Sequence, residues 1–379
     1  MGIALFGGSF NPVHSEHINI VKAALCDKDI DKVIIMPSNI TPAKSGTLSV
    51  PSLKRLEMCR LAFEDIENAE VSDYEIKKGG ISYTCITCKE FKEKFPEDKL
   101  YFIMGADMLS SFKDWKNPQE ILNSVSPCVC ARENEKGLTA AVNAFKKRFG
   151  APLKILAYTG AKLSSTKIRT VAALGENVSE YTGEKTAEYI KENSLYKIGQ
   201  IAAVKNYLTQ ERFKHTLNVA VMAAENCRRL NIDEETAITA AALHDCAKYI
   251  SLSDKRLKDF VCPENVPEPV LHQFTGAYIA EKEFGITNAD ILNAIRYHTS
   301  GRENMSDLEI LVFLCDLLEE NRTFGGVEEL RRLFDKDIYA AFYAALKRQC
   351  EYLKGAGKPV YALTERAYEY YSRRKNDKH

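Results

Sequence analysis

Six of the seven histidines in this 379-residue chain fall into two groups. His14 and His17 stand beside Gly7 and Gly8, while His215, His244, His272 and His298 share a later stretch with Asp245 and Asp316. Imidazole both binds transition metals and changes charge near neutrality, so this clustering predicts two chemical sites. The first group lies in Gly7-Gly8-Ser9-Phe10-Asn11-Pro12-Val13-His14-Ser15-Glu16-His17, directly after an apolar run and at the start of a helical pattern. Two glycines permit a tight turn and close backbone approach, and a helix start offers free N–H groups to a phosphate. His14 and His17, three apart, project from one side of a first helical turn and could both bind one polyphosphate. Taken alone, the stretch also fits a glycine turn with two capping histidines.

In the second group each ligand type sits in its own helical segment: His215, then His244-Asp245, His272, His298 and Asp316. Asp316 follows Ile310-Leu311-Val312-Phe313-Leu314-Cys315, an apolar stretch where an acid is costly unless a cation or hydrogen bonds compensate it. Five helices that each supply one inward ligand are a way bundles build metal sites. Asp245 can bridge two cations while four imidazoles and Asp316 divide between them. That nitrogen-rich set favours iron, manganese or a similar transition ion over magnesium, and a bridging water would become an acidified nucleophile. Lys248, one turn beyond His244, is placed to bind the departing phosphate, or else is a solvated lysine. Arg212 and Arg322 are further candidates for the polyphosphate.

The elements that must position these residues divide into two kinds. Up to about residue 193, candidate strands at 3–6, 32–36, 69–72, 100–104, 128–131 and 155–158 alternate with helical patterns that include 18–25, 52–63, 84–94 and 138–149. This alternation predicts an α/β doubly wound, Rossmann-like domain with a mostly parallel sheet, whose ligands bind at the carboxyl ends of the strands. After Tyr196 the pattern is helical throughout, predicting an all-α second domain. The boundary falls at about residue 197, giving domains 1–196 and 197–379, with no Pro/Gly/Ser-rich linker between them.

Fifty-two basic residues balance 52 acidic ones, which argues against long nucleic acid or an anionic membrane as the main ligand. Eleven cysteines without the spacing of a disulfide-stapled domain suit a reducing cytoplasm. No apolar run has membrane-spanning length, and the first six residues lead into a glycine turn instead of a cleavage site, so secretion is disfavoured. Cys85 and Cys88 have the spacing of a zinc or redox pair that Cys128 and Cys130 could complete. Buried free thiols are the expectation, with Cys128 and Cys130 expected on opposite sides of a strand. A homo-oligomer remains open.

Further motifs accompany the glycine turn: Met36-Pro37 with Lys44, Ile81-Ser82-Tyr83-Thr84, Phe102-Ile103-Met104-Gly105-Ala106-Asp107 with Trp115, and Leu163-Ser164-Ser165-Thr166-Lys167-Ile168-Arg169. In order and spacing, about residues 1–196 resemble bacterial nicotinate-mononucleotide adenylyltransferases of the nucleotidyltransferase superfamily. Glu16 stands where that family has glycine, and Ala43 where a histidine usually precedes the lysine. The resemblance implies adenylyl transfer from ATP, with Mg2+, to nicotinate mononucleotide. It assigns His14, His17 and Lys44 to the reacting phosphates, with the loop Gly7, Gly8, Ser9, Phe10 and Asn11 around them. Ser164, Ser165 and Thr166 would open a helix toward the triphosphate, with Arg169 adding charge. Ser82, Tyr83, Thr84 and Trp115 match the pyridine-ring site, and Gly105, Asp107 and Arg132 further substrate contacts. Asp107 could instead cap a helix beginning near Met108.

About residues 198–375 resemble the HD phosphohydrolase superfamily in ligand order. They are most similar to HD-type hydrolases of symmetrical dinucleoside tetraphosphates, through His244-Asp245-Cys246-Ala247-Lys248, Ala294-Ile295-Arg296-Tyr297-His298-Thr299 and Asp316 through Arg322. Gln273 replaces a usual glycine and Cys246 a commoner tyrosine. The two resemblances together imply a cytoplasmic bifunctional enzyme that also cleaves diadenosine tetraphosphate to two ADP. One alternative keeps both folds with another nucleotidyl acceptor, such as a phosphopantetheine, and a general nucleotide phosphohydrolase. Ser82-Tyr83-Thr84 and Trp115 argue against that acceptor. Another makes one half a nucleotide-sensing module, against which the retained His14, His17, Lys44 and Arg169 argue.

Overall fold

The computed structural model describes residues 1–41, 46–132, 137–161 and 163–376. It divides into two compact units: Met1–Ser45 with Ser49–Arg169 and Asn177–Leu195, and Gly46–Leu48 with Thr170–Glu176 and Tyr196–His379. The short piece around Ala173 and Leu174 joins the second unit because both side chains are buried in its helical core.

The first unit is built on six parallel strands, β1 (Gly2–Gly8), β2 (Lys32–Pro37), β3 (Ala69–Val71), β4 (Lys99–Gly105), β5 (Ser126–Arg132) and β6 (Lys154–Tyr158). Their order is β3-β2-β1-β4-β5-β6, and each neighbouring pair is parallel. Ile3 to Phe6 and Val33 to Met36 are buried without alternation, as expected of strands covered on both faces. The winding reverses between β1 and β4, whose carboxyl ends carry Gly7-Gly8 and Gly105, and such a reversal opens a ligand crevice. The helices of this part are α1 (Ser15–Leu25), α2 (Ser52–Phe63), α3 (Tyr74–Lys78), α4 (Thr84–Lys94), α5 (Ala106–Ser111), α6 (Pro118–Ser124), α7 (Leu138–Phe149), α8 (Ser165–Ala173, of which the residues up to Arg169 belong here), α9 (Ser179–Thr182) and α10 (Glu184–Glu192).

The cysteine expectation needs one correction. Cys128 and Cys130 are two apart on β5, so they share a face, since strand side chains alternate with a period of two. A four-thiolate site fails for another reason: Cys85 and Cys88 lie in the core cluster with Val129 and Ala131, which face the opposite way. All four are free and buried, and burial pushes the Cys128 thiol up to about 12.

Described residues of the second unit contain helices and no strand. They are α11 (Gln210–Asn226), α12 (Glu234–Leu243), α13 (Glu268–Lys282), α14 (Ala289–Tyr297), α15 (Asp307–Leu318), α16 (Val327–Lys336), α17 (Ile338–Gly355) and α18 (Ala362–Asn376). Helix α12 lies at the centre, packed on α11, α14 and α15. Its run Ala240-Ala241-Ala242 is fully buried, and these small side chains let neighbouring backbones come close. Among the described residues, five of these helix starts are held by an acceptor side chain at the N-cap, from Thr209, Asp233, Asn288, Ser306 and Asp337, each binding a free N–H of the first turn.

Candidate active sites

In the first unit, His14 caps α1 and His17 stands at its third position, with ring centroids 3.8 Å apart. The His14 backbone N–H donates to His17 Nδ1 at 3.1 Å, which fixes that ring beside the loop. Phe10, fully buried at φ +44°, packs edge-on against His17 and Phe6. A Cβ on Gly8 would lie 3.1 Å from the Phe10 ring, so the loop tolerates little bulk there. Helix α8 is drawn to the same loop. Ser165 Oγ donates to the Pro12 carbonyl (3.1 Å), and the buried Arg169 donates to the Asn11 carbonyl (2.6 Å) and Thr166 Oγ1 (2.9 Å). Ser164 Oγ caps the helix at the Lys167 N–H.

Ser9, Asn11, His14, His17 and residues 164–169 are thus gathered at one place. Lys44 and Ala43 lie outside the described residues. Arg132 ends β5 opposite Tyr158. Asp107 is exposed in the first turn of α5, which begins at Ala106, so it is not that helix's N-cap. Tyr83 and Trp115, both half-buried, pack on one core cluster. Lys116 Nζ sits 4.0 Å over the Tyr83 ring, and Trp115 packs on Phe102 and Phe112. Thr84 begins α4, and Ser82 Oγ accepts from the Asn39 N–H at 2.9 Å. Glu16 is buried, accepting from Ala161 N–H (3.1 Å) and Asn19 (3.2 Å). Its carboxylate thereby ties α1 to the loop after β6.

Sequence reasoning missed Arg55. Buried on α2, it donates to the carbonyls of Ser9 (2.6 Å), Ser38 (2.6 Å), Asn39 (2.8 Å) and Val50 (3.3 Å). The available signal was a charge beside Leu56, Met58 and Cys59, which are buried on the same helix.

In the second unit, five consecutive helices deliver the second group. His215 comes from α11, His272 from α13 and Asp316 from α15, while His244 and His298 cap the ends of α12 and α14. His244 Nδ1 donates to the Ala241 carbonyl (2.6 Å) and His298 Nδ1 to that of Ile295 (2.8 Å). Both rings therefore present an Nε2 lone pair inward. Asp245 Oδ1 lies 3.2 Å from His272 Nε2 and 3.6 Å from His298 Nε2, and Oδ2 lies 3.1 Å from His244 Nε2. His215 Nε2 lies 3.0 Å from Asp316 Oδ1, and His215 Nδ1 lies 3.0 Å from Glu319, a residue the sequence did not single out. Gln273, the departure after the third histidine, accepts from the Thr299 and Ser300 N–H groups and donates to Ser300 Oγ. It braces the loop that follows His298.

Two ligand groups share His244: His215, His244 and Asp316, and His244, Asp245 and His298, each with its donor atoms within 4.8 Å of one another. Burial pushes the imidazoles down, to about 4 for His298 and about 2 for His272, and well down for His244, so their nitrogens are free to ligate. Burial also works to raise Asp316, but His215, His244 and Arg322 together hold its carboxyl well below the usual range. Asp245 is wholly buried and neither oxygen receives a hydrogen bond of regular geometry, nor does His244 Nε2 make one. Arg212 Nη2 touches Asp245, and Lys248 Nζ stands 3.9 Å away. Imidazole nitrogens with free lone pairs converge on the buried carboxylates beside these cationic side chains, a donor set that fits a pair of metal ions.

The matches to known proteins follow the same division. A cytidylyltransferase-like family model matches residues 5–171 and an HD domain model residues 212–321. A "Probable nicotinate-nucleotide adenylyltransferase" of Clostridium botulinum is 37% identical over 197 residues, which cover 51% of this chain and 98% of that protein. The chain belongs to the nicotinate-nucleotide adenylyltransferase family. In this member of the family, an HD domain follows the adenylyltransferase fold. A "Probable nicotinate-nucleotide adenylyltransferase/Ap4A hydrolase" of Mycoplasma genitalium is 29% identical over 357 residues, covering 91% of this chain and 97% of that protein. A solved "predicted HD superfamily hydrolase involved in NAD metabolism" from Clostridium acetobutylicum is 30% identical, covers 46% of this chain and 95% of its own, and has a TM-score of 0.42.

Proposed function

We propose that the chain is a bifunctional enzyme, with adenylyl transfer housed in residues 1–196 and metal-dependent hydrolysis in residues 197–379. The first activity joins ATP and nicotinate mononucleotide into deamido-NAD with release of pyrophosphate. The second adds water across the central phosphoanhydride of diadenosine tetraphosphate, giving two ADP. The membership in the adenylyltransferase family supports the first activity, and the Mycoplasma protein named for both supports the pairing.

Attack of a nucleotide phosphate on the α-phosphorus of ATP needs no covalent enzyme intermediate, so alignment and charge stabilisation carry it. His14, His17 and Lys44 hold the reacting phosphates, Mg2+ accompanies ATP, and the start of α8 faces the triphosphate. Arg169 contributes its charge from behind the loop through the Asn11 carbonyl. Gly7, Gly8, Ser9, Phe10 and Asn11 shape the crevice. Ser82, Tyr83, Thr84, Gly105, Asp107, Trp115 and Arg132 receive the mononucleotide.

For the hydrolase, the decisive observation is that His244 belongs to two ligand groups, one completed by His215 and Asp316 and the other by His298 and the buried Asp245. A metal pair held by His215, His244, Asp245, His272, His298 and Asp316, with iron first and manganese next, would supply an acidified water and polarise a phosphoryl oxygen. Around it the chain sets Arg212, Lys248 and Arg322 as partners for polyphosphate charge. Burial, reinforced by Arg212, lowers Lys248 to about 8, which keeps it able to deliver a proton to a departing phosphate. We assign the protein to the cytoplasm, acting on small nucleotides; among described residues no helix is long and apolar enough to cross a membrane. Steady-state assays of the full chain against nicotinate mononucleotide with ATP, and against diadenosine tetraphosphate, test the proposal. Both turnovers are expected, and absence of either removes that half of it.

A further inference from the structure

His215 lies between two carboxylates. Its Nδ1 is 3.0 Å from Glu319 Oε1 and its Nε2 3.0 Å from Asp316 Oδ1. A neutral imidazole has one N–H, so it can donate to only one of them. The two sides differ in geometry: the Glu319 contact is a hydrogen bond, whereas Nε2 makes none of regular geometry despite its proximity to Asp316. The proton therefore belongs on Nδ1, and the Nε2 lone pair and the Asp316 oxygen both face the place where a cation would sit. Glu319 is itself fully engaged. Its second oxygen accepts from Asn218 Nδ2 (3.1 Å) and the Asn321 N–H (2.8 Å), and its side chain is 2% exposed. The spacing explains how this arises. His215 and Asn218 are three apart on α11, Asp316 and Glu319 three apart at the end of α15, so each helix offers one residue to the site and one to the pair behind it.

We propose that Glu319, braced by Asn218, is a positioning residue that fixes the tautomer and ring orientation of His215 as a metal ligand. The inference rests on reading the helical unit as a metal centre. A carboxylate behind a ligating histidine is worth roughly 10–100-fold in metal affinity. Glu319 touches neither substrate nor metal and acts only through the imidazole.

The test uses the full chain, stripped of metal and titrated with Mn2+, with the 15N shifts of labelled histidines recorded in the metal-free protein. At a pH where the His215 ring is neutral, wild type should show its Nε2 as the unprotonated nitrogen. Glu319→Ala should weaken Mn2+ binding by roughly 10–100-fold and mix the His215 tautomers. Glu319→Gln should weaken binding less, because its carbonyl oxygen still accepts the Nδ1 proton while the charge is gone. Asn218→Ala, which leaves Glu319 in place but loosens it, should fall nearer wild type, and it carries the test if Glu319→Ala does not fold. Wild-type affinity and an unchanged tautomer in the Glu319 variants would overturn the role of Glu319 alone, provided Asp245→Ala has lost binding. If wild type takes up no Mn2+, or Asp245→Ala binds as well as wild type, the metal centre falls and the role of Glu319 with it.

Discussion

Single side chains in the first site separate chemistry from packing. His17 borders the loop and its removal opens no large core cavity, so His17→Ala should leave the melting temperature near wild type. Adenylyl transfer should meanwhile fall by roughly 10²–10³-fold, as for loss of one donor to transition-state charge. Near-normal turnover of that variant would return His17 to a capping role. Trp115 is half-buried against Phe102 and Phe112, which leaves part of its face for a ligand ring. Trp115→Ala should raise KM for the mononucleotide more than KM for ATP, whereas equal rises would mark it as packing. Glu16 shows a departure from a family pattern becoming structural. An added Cβ on Gly160 would collide with Glu16 Oε2 and lie 2.7 Å from the Tyr158 ring. Gly160→Ala should therefore destabilise the chain by about 1–3 kcal/mol in chemical denaturation. In a Glu16→Gly background the loss should shrink, since the tighter of the two contacts is gone; equal losses in both backgrounds would show that Glu16 does not constrain the loop.

At the scale of elements, both sites sit where helices begin or end. The first uses helix starts, α1 and α8, whose free N–H groups suit phosphate. The second uses helix ends, because a histidine at the cap of α12 or α14 can bond its Nδ1 to a carbonyl three residues back and turn Nε2 inward. The fully buried alanines of α12 make that geometry possible by letting α11, α14 and α15 approach. Ala241→Leu should cost about 1–3 kcal/mol by overpacking. It should also loosen metal, because the carbonyl that orients His244 belongs to that residue. A stable variant with wild-type metal affinity would show that the α12 packing does not control the ligand geometry.

For the whole molecule, two activities with separate machinery should be separable. Asp245→Ala removes the carboxylate shared among three imidazoles, so tetraphosphate hydrolysis should fall by orders of magnitude while adenylyl transfer survives. Elemental analysis should find up to about two transition-metal ions per chain in wild type and fewer in the variant. Hydrolysis by the variant with magnesium alone, and no transition metal in either protein, would sink the assignment. The transferase should prefer nicotinate mononucleotide to its amide, because inward N–H donors satisfy a carboxylate and meet an amide NH2 badly. Equal kcat/KM for the two would remove that selectivity.

Spacing along the chain was enough to place six strands of a mostly parallel sheet, the glycine turn with His14 and His17, and the order of candidate ligands from His215 to Asp316. Periodicity and local motifs are properties of neighbouring residues, and these features need nothing else. The packing of distant elements decided the rest. That Arg55 clamps four carbonyls, that Arg169 is turned onto Asn11 and that Glu16 fills the space beside Gly160 depend on segments far apart in number. Glu319 is the sharpest case: it lies 104 residues from His215, and its place in the stretch from Asp316 through Arg322 does not say which side chain it meets. Its meaning arises only when α11 and α15 pack side by side, because a hydrogen bond that selects a tautomer requires two groups 3.0 Å apart, and no pattern of residue types along one chain encodes that distance.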